Sequence, residues 1–180
     1  MIVCAGNNET FDFATPIGVG LVDSAINLTR LIIEEQPSSL LFIGSAGSYG
    51  KYAPFEIVES VSAANIELGL ITHSAYTPID NTIEMYHDNV SRETSIMINS
   101  SNYITCDMEV AQEMQKLNLA LENMEFFSIL KVAQNFEIPA YGIFIVTNYC
   151  DANAHQDFIK NHEKAKALLA EYVLEKENKS

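Results

Sequence analysis

The stretch LLFIG at positions 40–44 is five residues with no polar alternation. A strand with one face in water alternates in polarity, whereas one covered on both faces does not. The segment therefore predicts a central parallel strand flanked by helices. The other apolar runs change period along the chain, strand-like and helix-like in turn, which places it in the α/β class. Strands are expected at 2–6 (IVCAG), 56–61, 66–72, 94–98, 119–123 and 141–146 (YGIFIV). Helices are expected at 18–36, ended by Pro37, and at 108–116, 124–136 and 156–175, with the final ENKS fraying. The first helix would turn Val22, Ala25, Ile26, Ile32 and Ile33 inward, and the last Ala165, Leu168, Leu169, Tyr172 and Val173.

With 180 residues, 48% of them hydrophobic, the chain can bury one substantial core, and residues 1–180 read as a single domain without repeat, linker or low-complexity segment. It shows no charged-then-apolar leader and no apolar run near the ~20 residues that span a bilayer, so a cytoplasmic protein is expected. Cys4, Cys106 and Cys150 are far apart and lack ligand spacing. They predict neither a disulfide framework nor a metal site, but small buried hydrophobes. The net charge of −14, from 24 acidic and 10 basic residues, argues against nucleic acid or anionic membrane as a partner and makes the molecule a poor attractor of phosphate.

In open α/β sheets ligands sit beyond the carboxyl ends of the strands. Four such ends carry polar or glycine-rich sequence: GNNE (6–9), GSAGSYG (44–50), ENME (122–125) and TNYCD (147–151). The order of GSAGS after an apolar strand, a Met-Glu pair opening a helix, then KVAQNFEIP and an apolar strand ending in VTN resembles the nucleoside phosphorylase and nucleosidase superfamily. The densest likeness covers Leu121 to Asn148, with weaker matches extending it from Met1 almost to the end. The resemblance implies a phosphorylase-like three-layer α/β/α sandwich with a mixed, mostly parallel central sheet. That sheet would be trimmed near the N-terminus, where NNETFDFATPI replaces several antiparallel strands. It also implies a homo-oligomer whose substrate is a nucleoside, with no cofactor and phosphate as the one conceivable co-substrate.

Breaking an N-glycosidic bond passes through an oxocarbenium-like ribose. The site must hold the sugar hydroxyls, relieve charge on the leaving base and supply a nucleophile. By the resemblance, Glu125 accepts from the ribose 2′ and 3′ hydroxyls, with Met124 on the sugar face and Asn123 beside them. The plainer reading of Glu125 is an acid favoured by a helix N-terminus. Ser45, Ala46 and Gly47 would line the floor under ribose and nucleophile, or simply form a tight turn. SSNYIT at 100–105 resembles the loop that cradles the base, with Tyr103 stacking on it and Ile104 alongside.

Asn148 stands where nucleosidases and hexameric phosphorylases of this superfamily carry a proton-donating aspartate and trimeric 6-oxopurine phosphorylases an asparagine. An amide cannot give up a proton near neutral pH but can donate a hydrogen bond, so the match favours inosine- or guanosine-like substrates. Asp151 could substitute as the acid, or cap the last helix; Asn148 could be a turn residue. No arginine matches those that cradle phosphate, and Arg30 and Arg92 read as solvated side chains. Glu9 is the nearest candidate for the glutamate that activates water, although Phe11 lies closer to the aligned position. His73 could reach a sugar 5′ group, and each histidine could equally be an exposed or capping residue. The leading expectation is cleavage of a purine ribonucleoside, with water preferred to phosphate and Glu9, Asn148 and Asp151 as the catalytic set. The alternatives are a non-catalytic nucleoside-binding relative and, from GVG at 18–20 alone, a dinucleotide binder.

Overall fold

The computed structural model describes residues 1–91 and 95–178; Arg92, the first residue of the strand expected at 94–98 and the last two residues of ENKS lie outside them. The elements are β1 (Ile2–Cys4), β2 (Thr15–Pro16), α1 (Gly20–Glu35), β3 (Leu40–Ser48), β4 (Ile57–Ser60), β5 (Ser62–Ala64), α2 (Leu68–Ile71), β6 (Thr82–Glu84), β7 (Met97–Asn99), α3 (Met108–Lys116), β8 (Leu119–Glu122), α4 (Phe126–Asn135), β9 (Ala140–Tyr149) and α5 (Ala154–Glu177). One mixed sheet joins the strands. Its centre is the parallel pair β3 and β9, with β1 parallel on the far side of β3 and β4 antiparallel on the far side of β9. Beyond the carboxyl end of β3 the sheet continues through β8, β7, β5 and β6.

The unalternating run predicted as a central strand is β3, and its two faces feed two cores. Leu40, Phe42 and Ala46 pack with α1 and α4, while Leu41 and Ile43 pack with α5, giving three layers. Phe42, Phe126 and Phe144 meet at ring separations of 4.9–6.2 Å and lock α4 onto the sheet. Gly142 makes room for them, since a Cβ there would lie 2.5 Å from Phe144 and 2.7 Å from Phe126. That packing fixes where the first turn of α4 points, and with it Glu125.

Four expectations are corrected; on α5, Tyr172, which the spacing turns inward, is 39% exposed. Residues 66–72 form no strand; they hold the short helix α2, whose Leu68 is exposed, because an apolar run with no sheet partner is not held extended. The buried stripe of α1 is Gly20, Ser24, Leu28 and Ile32, whereas Val22, Ile26 and Ile33 face outward. Ser24 can be buried because its hydroxyl donates to the Gly20 carbonyl at 2.6 Å. Cys4 and Cys150 are buried, but Cys106 is exposed. Between β1 and α1 the chain holds only the two-residue β2 and an isolated bridge between Gly6 and Glu9. No helix among the described residues is long and apolar enough to cross a membrane.

Candidate active site

The carboxyl ends of β1, β3, β8 and β9 converge on one cavity of about 310 Å³. Glu9, Ser45, Ala46, Gly47, Tyr103, Ile104, Asn123, Met124, Glu125 and Asn148 all line it. Asn123 builds one wall. Its Oδ1 accepts from the backbone N–H groups of Glu125 and Phe126, both at 3.0 Å, starting α4, and its Nδ2 donates to the Ser45 carbonyl at 3.1 Å, tying that start to β3.

Glu125 is 3% exposed, and its Oε1 accepts from the N–H of Gly20 at 2.8 Å. It thereby caps α1, whose own preceding residue Val19 offers no side-chain cap, and Asn102 takes the next amide, Leu21 N–H, at 2.9 Å. Burial pushes the Glu125 carboxyl up to about 7; the Gly20 N–H pulls against this and the charge of Glu9 adds to it. The first two amides of α1 after GVG are thus taken by side chains of this same chain and are not open to a dinucleotide phosphate.

Glu9 reaches the cavity from a tight loop after β1. Gly6 and Asn7 both have positive φ, +97° and +53°, and the Glu9 N–H closes onto the Gly6 carbonyl at 2.9 Å. His162 of α5 steadies the loop through Nε2 and the Asn8 carbonyl oxygen, 2.9 Å apart. The loop turns the Glu9 carboxylate onto Ser45, which donates its hydroxyl and its backbone N–H, the latter at 3.2 and 3.3 Å to the two oxygens. GSAGS is therefore strand rather than an open loop. β3 runs to Ser48, most of its backbone is committed to β9 and β8, and the amide of Ser45 is filled by Glu9.

Asn148 is held in one orientation. Its Oδ1 accepts from the Thr147 hydroxyl at 2.8 Å and its Nδ2 donates to the Tyr149 carbonyl at 3.0 Å, leaving one N–H free to donate. Tyr103 is 80% exposed at the rim. Asp151 does not line the cavity. Its Oδ1 accepts from the Asn153 N–H at 2.8 Å in the turn entering α5, so its placement does not support the expected role as acid. Phe11 and His73 stand outside the lining as well, Phe11 packing in the α5-side core and His73 exposed after α2. Arg30 is exposed on α1.

The cavity also takes residues that sequence reasoning passed over: Asn7 and Asn8 from the Glu9 loop, His155 and Phe158 from α5, and Glu122 from the end of β8. Glu122 lies in ENME and Asn7 and Asn8 in GNNE, two of the polar strand ends; nothing local marks His155 or Phe158. Burial raises the Glu122 carboxyl, against hydrogen bonds from the Thr105 N–H at 2.9 Å and the Tyr49 hydroxyl at 3.0 Å. Glu9, Glu122 and Glu125 all face the cavity, and among the described residues no lysine or arginine lines it.

This architecture is the fold of solved nucleosidases and of a futalosine hydrolase. Among solved structures, a mutant of the Helicobacter pylori futalosine hydrolase superposes with a TM-score of 0.82 at 16% identity, covering 99% of this chain and 98% of that one. A mutant of the Helicobacter pylori 5′-methylthioadenosine/S-adenosylhomocysteine nucleosidase with 5′-methylthioadenosine in its active site gives 0.82, 16%, 99% and 97%. The Streptococcus pneumoniae nucleosidase with a transition-state inhibitor gives 0.77, 15%, 96% and 95%. At these identities the likeness is one of fold. No protein-family model and no curated protein sequence matches the chain.

Proposed function

We propose that this chain hydrolyses the N-glycosidic bond of a purine ribonucleoside, with a 6-oxopurine base favoured. One observation carries the reading: the Glu9 carboxylate fills the hydroxyl and amide of Ser45, in a cavity it shares with Glu122 and Glu125 and with no described cation. A phosphate of nearly two negative charges brought there would meet carboxylates in place of donors. Water meets an acceptor. Glu9 takes a proton from it as its oxygen attacks C1′ of the ribose, whose 2′ and 3′ hydroxyls donate to the Glu125 carboxylate. Met124 covers the sugar, Ala46 and Gly47 lie beneath it, and Tyr103 with Ile104 covers the base. The free N–H of Asn148 suits an acceptor such as a 6-oxo group. The names of the solved neighbours, all hydrolytic enzymes, support the same class of reaction.

Asn148, with no proton to lose, also favours a second reading in which the chain binds a nucleoside without cleaving it. Base release from inosine, guanosine, adenosine and 5′-methylthioadenosine separates the two. Hypoxanthine and guanine should be released fastest, and Glu9→Ala should slow release by about 10²-fold or more. Asn148→Asp should shift the preference towards 6-amino bases. Faster cleavage of 5′-methylthioadenosine than of inosine by the unaltered protein would sink the 6-oxo preference, and calorimetric binding without base release would select the second reading.

A further inference from the structure

Glu122 stands in the cavity wall, and the chemistry above gives it no task. Its place is set by strand register: Gly47 pairs with Glu122 on β8 and with Asn148 on β9. Gly47 brings no side chain between them. A Cβ at Gly47 would lie 2.9 Å from Cys150 Sγ, 3.2 Å from Glu122 Cγ and 3.3 Å from Asn148 Nδ2, so thiol, carboxyl and amide gather over the same backbone. Thr105, the residue after Tyr103 and Ile104, donates its N–H to Glu122 at 2.9 Å, while Glu9 sits on Ser45, two residues back along β3. We propose that Glu122 is the proton donor to the departing base, with the Asn148 N–H holding the base beside it.

The proposal rests on the hydrolytic reading, and the step balances. The water oxygen bonds to C1′ and its proton passes to the Glu9 carboxylate. The bond from C1′ to N9 breaks, its electron pair goes to the base, and the Glu122 carboxyl gives its proton to purine N7. Ribose and neutral base leave; Glu9 is left protonated and Glu122 ionised, and exchange with solvent resets both. Burial favours the protonated carboxyl that this requires. The hydrogen bonds from Thr105, Tyr49 and Cys150 pull the other way, and burial outweighs them; Tyr49 and Cys150 are themselves pushed up by burial and stay neutral, and Glu9 and Glu125 line the same cavity. His155 faces the same cavity from α5, and Asp151 lies beside Cys150. Asn148 alone offers a hydrogen bond and no proton.

The test compares inosine, whose base needs a proton to leave, with p-nitrophenyl riboside, whose phenolate leaves without one. Glu122→Gln should lower kcat on inosine by about 10²–10⁴-fold, and the loss on p-nitrophenyl riboside should be at least about tenfold smaller. Tyr49→Phe, which removes a hydrogen bond favouring the ionised carboxyl, should move the alkaline limb of the inosine pH profile upward. Equal losses on both substrates, no loss on inosine, or an unmoved limb would overturn the proposal. Unaltered protein that cleaves p-nitrophenyl riboside but not inosine overturns it and spares the hydrolytic reading. Protein that cleaves neither overturns both.

Discussion

Glu125 is pulled two ways. The Gly20 N–H at the start of α1 favours its carboxylate, while burial and the charge of Glu9 favour its acid, and the balance lies at about 7 against an ordinary 4.5. A folded-state value above the unfolded one means that the folded chain binds more protons between those limits. Stability from this group is therefore complete below about pH 4.5 and is lost as pH rises through about 7. The whole effect is at most roughly 3 kcal/mol. Glu125→Gln keeps an oxygen for Gly20 but cannot ionise, so its urea midpoint should fall less between pH 5 and pH 8 than that of the unaltered protein; parallel curves would contradict this. The same variant presents an amide to the ribose in place of a carboxylate and should weaken nucleoside binding by about 1–3 kcal/mol in calorimetry.

At the scale of elements, the site depends on helix starts that are capped from elsewhere. α4 begins on Asn123, which also holds the Ser45 carbonyl, and α1 begins on Glu125 and Asn102. Asn123→Ala should cost about 1–2 kcal/mol in urea unfolding and lower activity further by freeing Glu125. A variant as stable as the parent would show that the cap is idle. What the sequence disclosed follows the same division. α3 was read at its true bounds, and β3 and β9 were found as the unalternating runs they are, because long periodic segments declare themselves. β5 and β6, three residues each, are too short for any period to show, and the run at α2 reads as a strand because an apolar run alone does not reveal whether it has a partner. The stripe chosen on α1 followed its β-branched residues; the true one runs through Gly20 and Ser24, which carry no hydrophobic signal. Glu125 and Asn148 were legible from motif. Glu122 stands in the same ENME stretch, but its place beside Asn148 comes from register across three strands, and His155 is placed by the docking of α5 with no local signal.

Across the whole molecule, a net charge of −14 surrounds a cavity that holds three acidic side chains and no described lysine or arginine. Both levels disfavour phosphate as the nucleophile, one by long-range repulsion and the other by the filling of Ser45 with Glu9. The sugar product decides the matter. Inosine incubated with the protein in phosphate-free buffer and in excess phosphate should yield free ribose at the same rate in both, with no ribose 1-phosphate. Ribose 1-phosphate as the product, with turnover that requires phosphate, would contradict hydrolysis and assign the cavity to phosphorolysis.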